Sequence, residues 1–184
     1  MFDEFSNDFG YMNYPYIPYN RNLYKSNDIH RVTPAMQVPR EVLELIKDSV
    51  GSEREDELFY DFLLTVATSK EDKDIIESIR NDERHHNQLF RKIYLELTGV
   101  SLPKASTDVQ EHEFNMTYLQ GLEVALMGEL SAVEKYRKIL GEMTDRQRYN
   151  MVFEILTDEL KHAAKYNYLI TKNMVSMNRE EQSI

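Results

Sequence analysis

The sequence predicts an all-α protein: a four-helix bundle made of two repeated helical hairpins, preceded by an extended segment rich in tyrosine and proline. Three observations predict it. From Pro39 onward, apolar residues recur at spacings of three and four, the period of an amphipathic helix. Turn and cap signals divide that pattern into four stretches, each far longer than an average helix of about 12 residues. The chain also matches itself, without a gap, when shifted by 76 residues. At roughly 150 residues per domain, the chain length of 184 fits one domain plus an extension.

The segment over residues 1–38 contains Pro15, Pro18 and Pro34 among Tyr11, Tyr14, Tyr16, Tyr19 and Tyr24. Proline prevents a continuous helix there, and no alternating apolar pattern supports a strand. The segment reads as a strap laid on the body of the protein or on a second subunit, or as a docking peptide for a larger assembly. The first helix is expected over 40–69, with Val42, Leu45, Ile46, Leu58, Phe59, Phe62, Leu63 and Val66 on its buried stripe. Ser69-Lys-Glu-Asp72 reads as the cap of a second helix, the serine capping and the acid reaching back. That helix runs to about Thr98, where Gly99 stops it and Pro103 marks a loop. A third helix is expected over 112–141, ending at Gly141, and Asp145 caps a fourth running to about Asn173. The bundle thus occupies 39–174, and 175–184 forms a tail. Long helices joined by short hairpin turns are the substance of a four-helix bundle.

Composition narrows the function. The 22 Lys and Arg against 32 Asp and Glu leave a net charge of −10, which disfavours nucleic acid and anionic membranes as partners and favours cations. No cysteine is present, so disulfides, thiolate zinc sites, iron–sulfur clusters and cysteine nucleophiles are excluded. The acidic start, Met1-Phe-Asp-Glu-Phe, lacks the basic-then-apolar pattern of a secretory signal, and no apolar stretch approaches the roughly 20 residues of a membrane helix. A cytoplasmic location is expected.

The repeat carries the chemistry. Under the 76-residue shift Ile46 falls on Leu122, Leu63 on Ile139, Ile79 on Ile155, Phe90 on Tyr166 and Ile93 on Leu169. Any two amphipathic helices share such a stripe. The polar matches need another cause, because core-facing positions select apolar residues: Glu53 with Glu129, Tyr60 with Tyr136, Asp82 with Asp158, Glu83 with Glu159, and His86 with His162. Glu83-Arg-His-His86 and Glu159-Leu-Lys-His162 are the only Glu-x-x-His sequences in the chain. Residues three apart on a helix share a face, so each can present a carboxylate and an imidazole together. Glu53 and Glu129 each lie 30 residues earlier, on the preceding helix, and hairpin geometry brings them to the same level within a few ångströms.

Four glutamates and two histidines therefore converge at mid-bundle. Four buried carboxylates are prohibitively costly unless positive charge compensates them. Two divalent metals would neutralise them, and carboxylate with imidazole suits iron or manganese. A single Glu-x-x-His is common on charged helix surfaces; two at one register, each with a partnered glutamate, are not. Tyr60 and Tyr136 stand two turns after Glu53 and Glu129 on the same face and read as core aromatics. Asp82 and Asp158, four residues before the histidines, read as groups that orient a histidine's second nitrogen or as exposed helix charges. His85 points away from this face and is assigned to the surface. Gly51, Gly121 and Gly128 each cost about 1 kcal/mol within a helix, a cost that close helix contact would explain. Met116, Met127, Met143 and Met151 read as core filler.

These residues carry a resemblance. Over about 39–174 the chain is similar to the ferritin-like superfamily, and within it to the rubrerythrin and bacterioferritin branches, whose di-iron bundles take one Glu from each of two helices and Glu-x-x-His from each of the other two. The resemblance implies Glu53, Glu83, His86, Glu129, Glu159 and His162 as catalytic and metal-binding residues, with Glu53 and Glu129 terminal and Glu83 and Glu159 bridging. It implies two iron ions, with manganese accepted by the same ligands. For Tyr60 and Tyr136 it implies, in place of core aromatics, groups that hydrogen-bond a ligand carboxylate or relay an electron. Rubrerythrins usually carry a further glutamate three residues after the third-helix ligand; here that position is Ala132, against Asp56 in the first half. They also usually carry a cysteine-ligated iron that this chain cannot make.

Ferritin-like topology returns the chain along the bundle between helices two and three. Residues 99–111 would reach about 43 Å at full extension, against a span of about 48 Å between the expected helix ends. The span is marginal: offset helix ends would close the gap, or two chains would exchange hairpins to form a swapped homodimer, the exchange being the more attractive if Thr107-Asp-Val-Gln110 already begins helix three. The implied activity is oxidation of Fe(II), or reduction of hydrogen peroxide or oxygen, with electrons from an external donor. The alternative is a structural or assembly protein whose metal site holds the fold together; its Tyr/Pro-rich tail resembles, by composition alone, those of spore-coat-associated proteins.

Overall fold

The computed structural model describes residues 38–103 and 114–181. The predicted extension up to residue 37, and the proposed helix start at Thr107–Gln110, lie outside them. Four helices make up the described chain: α1 (Arg40–Val66), α2 (Lys70–Thr98), α3 (Tyr118–Gly141) and α4 (Arg146–Glu181). None is long and apolar enough to cross a membrane. The all-α four-helix bundle of two hairpins is thus the observed architecture.

Cross-helix contacts fix the directions. Arg80 pairs with Asp61 and Arg84 with Glu57, so α2 runs antiparallel to α1. Tyr60 meets Glu129 while Tyr136 meets Glu53, so α3 is also antiparallel to α1. Lys165 meets Ser78 while His86 meets Asp158, which sets α4 antiparallel to α2. It follows that α2 and α3 are parallel, and the chain between them must travel the length of the bundle.

That crossover has ample length, which corrects the sequence-based estimate. Helix α3 begins at Tyr118, not near residue 112, because Thr117 and Gln120 form a reciprocal capping box there. Gly99–Thr117 then supplies 19 residues, with a reach of about 60 Å. The span to cover is only about 39 Å, since α2 continues 15 residues past Glu83 and α3 starts 11 before Glu129. Its described ends already follow the bundle. Arg91 holds the carbonyls of Leu102 and Pro103, and Phe114 packs on Phe59 and Phe62. The chain-length argument for hairpin exchange therefore falls away.

Gly99 ends α2 in the left-handed conformation, φ 72°, with its N–H on the Leu95 carbonyl. Asp145 caps α4 through the N–H groups of Gln147 and Arg148, and α4 continues to Glu181, well past Asn173. Among the interior glycines, close contact holds only at Gly121, where an added Cβ would meet Leu63 Cδ2 at 2.5 Å; Gly51 and Gly128 face open space. Met143 and Met151 are buried and Met116 packs against a core, but Met127 is 63% exposed and is not core filler.

The interior divides into two apolar clusters on either side of a polar middle layer. One gathers Ile46, Val50, Phe90, Ile93, Ile139, Val152 and Ile155. The other gathers Leu63, Ile76, Ile79, Leu122, Tyr166 and Leu169. The 76-residue repeat maps members of each cluster onto the other, as a twofold axis through the middle layer requires.

Ser69 caps α2 as expected, accepting from the Asp72 N–H. Asp72 does not reach back to the cap backbone. Its fully buried carboxylate instead takes the Ser69 hydroxyl, Tyr118 Oη, Lys172 Nζ and Asn173 Nδ2, tying α2, α3 and α4 together at one end. Burial alone would raise this carboxyl, but Lys172, Ser69, Asn173 and Tyr118 outweigh it and hold its pKa at about 2, below the ordinary 3.8. A depressed carboxylate contributes stability that is present above its unfolded pKa and lost as pH falls through the folded one. Replacing Asp72 with Ala should therefore cost about 2–3 kcal/mol at neutral pH. The difference from wild type should shrink between about pH 4 and pH 2, as read by urea unfolding.

Candidate metal centre

The six predicted ligands meet in the middle layer. Glu53, Glu83, Glu129 and Glu159 are 1–3% exposed, and His86 and His162 are fully buried. They form two groups able to hold a metal ion, Glu53, Glu83, His86 and Glu159 in one, and Glu83, Glu129, Glu159 and His162 in the other. Ligand atoms within each group lie within 4.8 Å of one another. Glu83 and Glu159 belong to both groups; Glu53 and Glu129 belong to one each.

The histidines address the carboxylates through Nδ1. His86 Nδ1 stands 3.2 Å from Glu83, 3.2 Å from Glu159 and 3.7 Å from Glu53. His162 Nδ1 stands 3.1 Å from Glu83, 3.5 Å from Glu159 and 3.6 Å from Glu129. The imidazole rings lie 5.8 Å apart, nearly parallel. Each Nε2 faces an aspartate across the bundle, His86 to Asp158 at 3.4 Å and His162 to Asp82 at 3.1 Å. The sequence places each aspartate four residues before a histidine of its own helix; in the fold the partnership is exchanged, because antiparallel α2 and α4 bring Asp158 level with His86.

The outer glutamates are held crosswise too. Tyr60 Oη donates to Glu129 at 2.6 Å, and Tyr136 Oη donates to Glu53. Both tyrosines are buried, with their phenols pushed far above the ordinary range by burial and by the surrounding carboxylates. They remain donors. His85 is on the surface, 3.3 Å from Glu154.

Two further residues belong to this setting. Tyr166 is completely buried with its ring 5.5 Å from that of Tyr60, and it has no hydrogen-bond partner of good geometry among the described residues. Its position four after His162, on the same helix face, is the signal that would have found it. Asp56 is half-buried one turn after Glu53, its pKa pushed up to about 7 by burial and by Glu53 and Glu129.

The donor set fits a pair of divalent cations. Glu53 Oε2, Glu83 Oε1, Glu159 Oε1 and His162 Nδ1 are buried without a satisfactory hydrogen bond, a costly arrangement unless these atoms serve something between them. Protons substitute in part when no metal is bound. Burial and neighbouring carboxylates raise Glu83 and Glu159 well above the carboxylate range. Burial would lower the histidines, but His86 is raised by Glu159, Glu53 and Glu83, and His162 is raised to about 9 by Glu129 and Glu159. Burial would likewise raise Glu53, yet hydrogen bonds with Glu83, His86 and Tyr136 hold it low.

Metal binding must displace those protons. Anaerobic loading of Fe(II) at pH 7 should take up about two ions per chain and release about two or more protons, measured by elemental analysis and by an indicator in weak buffer. Proton-neutral loading would contradict this electrostatic account. The sign for stability follows from the raised histidine. Without metal, the stabilisation that protonated His162 contributes is complete below about pH 6.5 and lost as pH rises through about 9. The metal-free protein should therefore melt progressively lower across that window, and the loaded protein should not.

Comparison with known proteins agrees with this geometry. In three-dimensional structure the chain is similar to a protein of Xanthomonas campestris pv. campestris (TM-score 0.63, 18% identity, 77% of this chain and 96% of the other covered). It is similar to a conserved hypothetical protein of Mycobacterium tuberculosis (TM-score 0.60, 14% identity, 71% and 98% covered). A hypothetical protein of Pyrococcus furiosus also matches (TM-score 0.60, 19% identity, 71% and 88% covered). At such identities the likeness speaks for the fold alone. No curated protein matches the sequence. The Rubrerythrin family model matches residues 44–170, a stretch that contains all six residues of the two metal-holding groups, and the chain belongs to the rubrerythrin family.

Proposed function

We propose that this protein is a di-metal carboxylate oxidoreductase, with iron as the resident metal, that oxidises Fe(II) or reduces hydrogen peroxide or oxygen. The observation that carries the reading is the pair of four-residue groups sharing Glu83 and Glu159. Shared carboxylates allow two cations to sit close together and act as a unit. Glu53, Glu83, His86, Glu129, Glu159 and His162 would hold two Fe(II) ions, a pair that would supply the two electrons cleavage of a peroxide bond requires. Manganese is accepted by the same ligands.

The protein's own groups have separable tasks. Glu83 and Glu159 belong to both positions, and together with Glu53 and Glu129 their four negative charges would balance two divalent cations. Tyr136 and Tyr60 fix the outer carboxylates of Glu53 and Glu129 by donating to one oxygen each, leaving the other oxygen for the metal. Asp158 and Asp82 hold the far nitrogens of His86 and His162, which sets the tautomer that leaves Nδ1 as the ligand atom. The two apolar clusters on either side exclude water from the layer. The chain has no cysteine, so electrons for a second turnover come from an external donor.

The test is consumption of hydrogen peroxide by iron-loaded protein with an excess of reductant. The Glu83→Ala, Glu159→Ala double variant should lose about 100-fold or more in rate, with helicity retained by circular dichroism. A folded double variant that consumes peroxide as fast as wild type would overturn the proposal and leave the centre a structural device.

A further inference from the structure

The seam between α1 and α2 is charge-matched for part of its length and then abruptly is not. Arg80 meets Asp61 at 2.8 Å, and Arg84 meets Glu57 at 2.6 Å one turn on. At the next level α1 presents Arg54 in place of an acid, while α2 presents Asn87, whose amide donates to the Val50 carbonyl at 2.7 Å. A cleft of about 500 Å3 opens at this point. Three cations line it, Arg54, Arg91 and Lys92, together with Asn87, Ser101 and the apolar Leu95 and Leu102.

The positive charge there is poorly compensated. Among the described residues Arg91 has only neutral partners, Asn87 Oδ1 at 2.8 Å and the carbonyls of Pro103 and Leu102 at 2.7 and 3.3 Å. Those contacts fix its guanidinium without cancelling its charge. Lys92 is exposed and makes no ion pair or hydrogen bond among the described residues. Among the described residues Glu57 is the one carboxylate bonded to Arg54, and it serves Arg84 as well. In a chain of net charge −10 this local surplus runs against the overall balance. Leu95, 43% exposed, adds an apolar wall.

We propose that this cleft is a binding site for a small phosphate monoester, its phosphate paired with Arg91, Lys92 and Arg54 and its apolar body laid on Leu95 and Leu102. A pre-fixed guanidinium beside a mobile ammonium suits a phosphate dianion. The volume lies within the roughly 300–1,000 Å3 of small-ligand sites. A large acidic protein is the poorer fit, because the chain's net negative charge repels it while only a small concave patch attracts it. Arg54 follows Glu53 and Asn87 follows His86, so the cleft is one residue from two members of the first metal-holding group. The proposal does not depend on the redox reading.

Isothermal titration of the full-length chain with phenyl phosphate tests it, with inorganic phosphate and phenol as separate arms. One saturable site per chain is expected, tighter for phenyl phosphate than for inorganic phosphate, with phenol not binding and affinity falling as salt rises. Lys92→Glu should weaken binding about tenfold or more, Lys92→Arg should retain it, and neither should change thermal stability. Failure to saturate at roughly 10 mM, a Kd far too weak for a specific small-anion site, would overturn the proposal. So would binding that survives Lys92→Glu but disappears on chelation, because the phosphate would then be held by metal in the bundle centre. Loss of peroxide chemistry with anion binding intact would instead count against the redox reading alone.

Discussion

Everything in this bundle is arranged around the burial of six ionisable side chains at one level. Glu53, Glu83, Glu129, Glu159, His86 and His162 occupy the mid-plane with almost no exposure to water. Several kcal/mol per uncompensated ion is the scale of the penalty, more than the whole stability of many domains if left unanswered. The apolar clusters above and below explain why the helices run to 24–36 residues. A shorter bundle would consist mostly of its polar layer and could not offset its cost. The raised carboxyls of Glu83 and Glu159 and the raised imidazoles of His86 and His162 express the same constraint, as do the buried donor atoms without a hydrogen-bond partner.

The internal twofold is close but not complete, and its breaks have a common address. Tyr60 touches Tyr166 while its mate Tyr136 touches Phe90. Asp56 is half-buried near Glu53 and Glu129, whereas its mate is Ala132. Both differences enrich one side in polar groups. The two halves therefore supply matching ligands in different electrostatic surroundings, so the two positions are equal in donor set and unequal in field.

The centre was legible because its signal is chemical. Glutamate and histidine repeated at core-facing positions have no packing explanation, and helix geometry alone brings them level. Helix existence was legible for the same reason, since a sustained 3.6 period over long stretches admits few alternatives. What escaped was set by single hydrogen bonds or by relations between helices. The start of α3 depends on the Thr117–Gln120 box, whereas the acidic residues just upstream are also compatible with helix. Asp72 is drawn from its expected capping role by Lys172, Asn173 and Tyr118, partners on other helices. The exchange of Asp82 and Asp158 between histidines follows from the antiparallel pairing of α2 with α4, which no single helix records. Met127 and the exposed Gly51 and Gly128 show that composition does not fix which face a residue occupies.

The polar contacts divide by role. Within the first hairpin, α1 and α2 are joined by surface ion pairs such as Arg80–Asp61 and Arg84–Glu57, which contribute little to stability. At the centre, Tyr60 to Glu129, Tyr136 to Glu53, Asp158 to His86 and Asp82 to His162 all run from one hairpin to the other. Four of the six ligands, Glu53, Glu129, His86 and His162, are thus oriented by the half that does not supply them, and Glu83 and Glu159 come from opposite halves. A lone hairpin cannot assemble the centre. A cation bound there would be held by both halves, at the level that the two apolar clusters leave between them. Packing of the two hairpins is therefore also what brings the donor groups together, so any cation bound there would be linked to the stability of the fold.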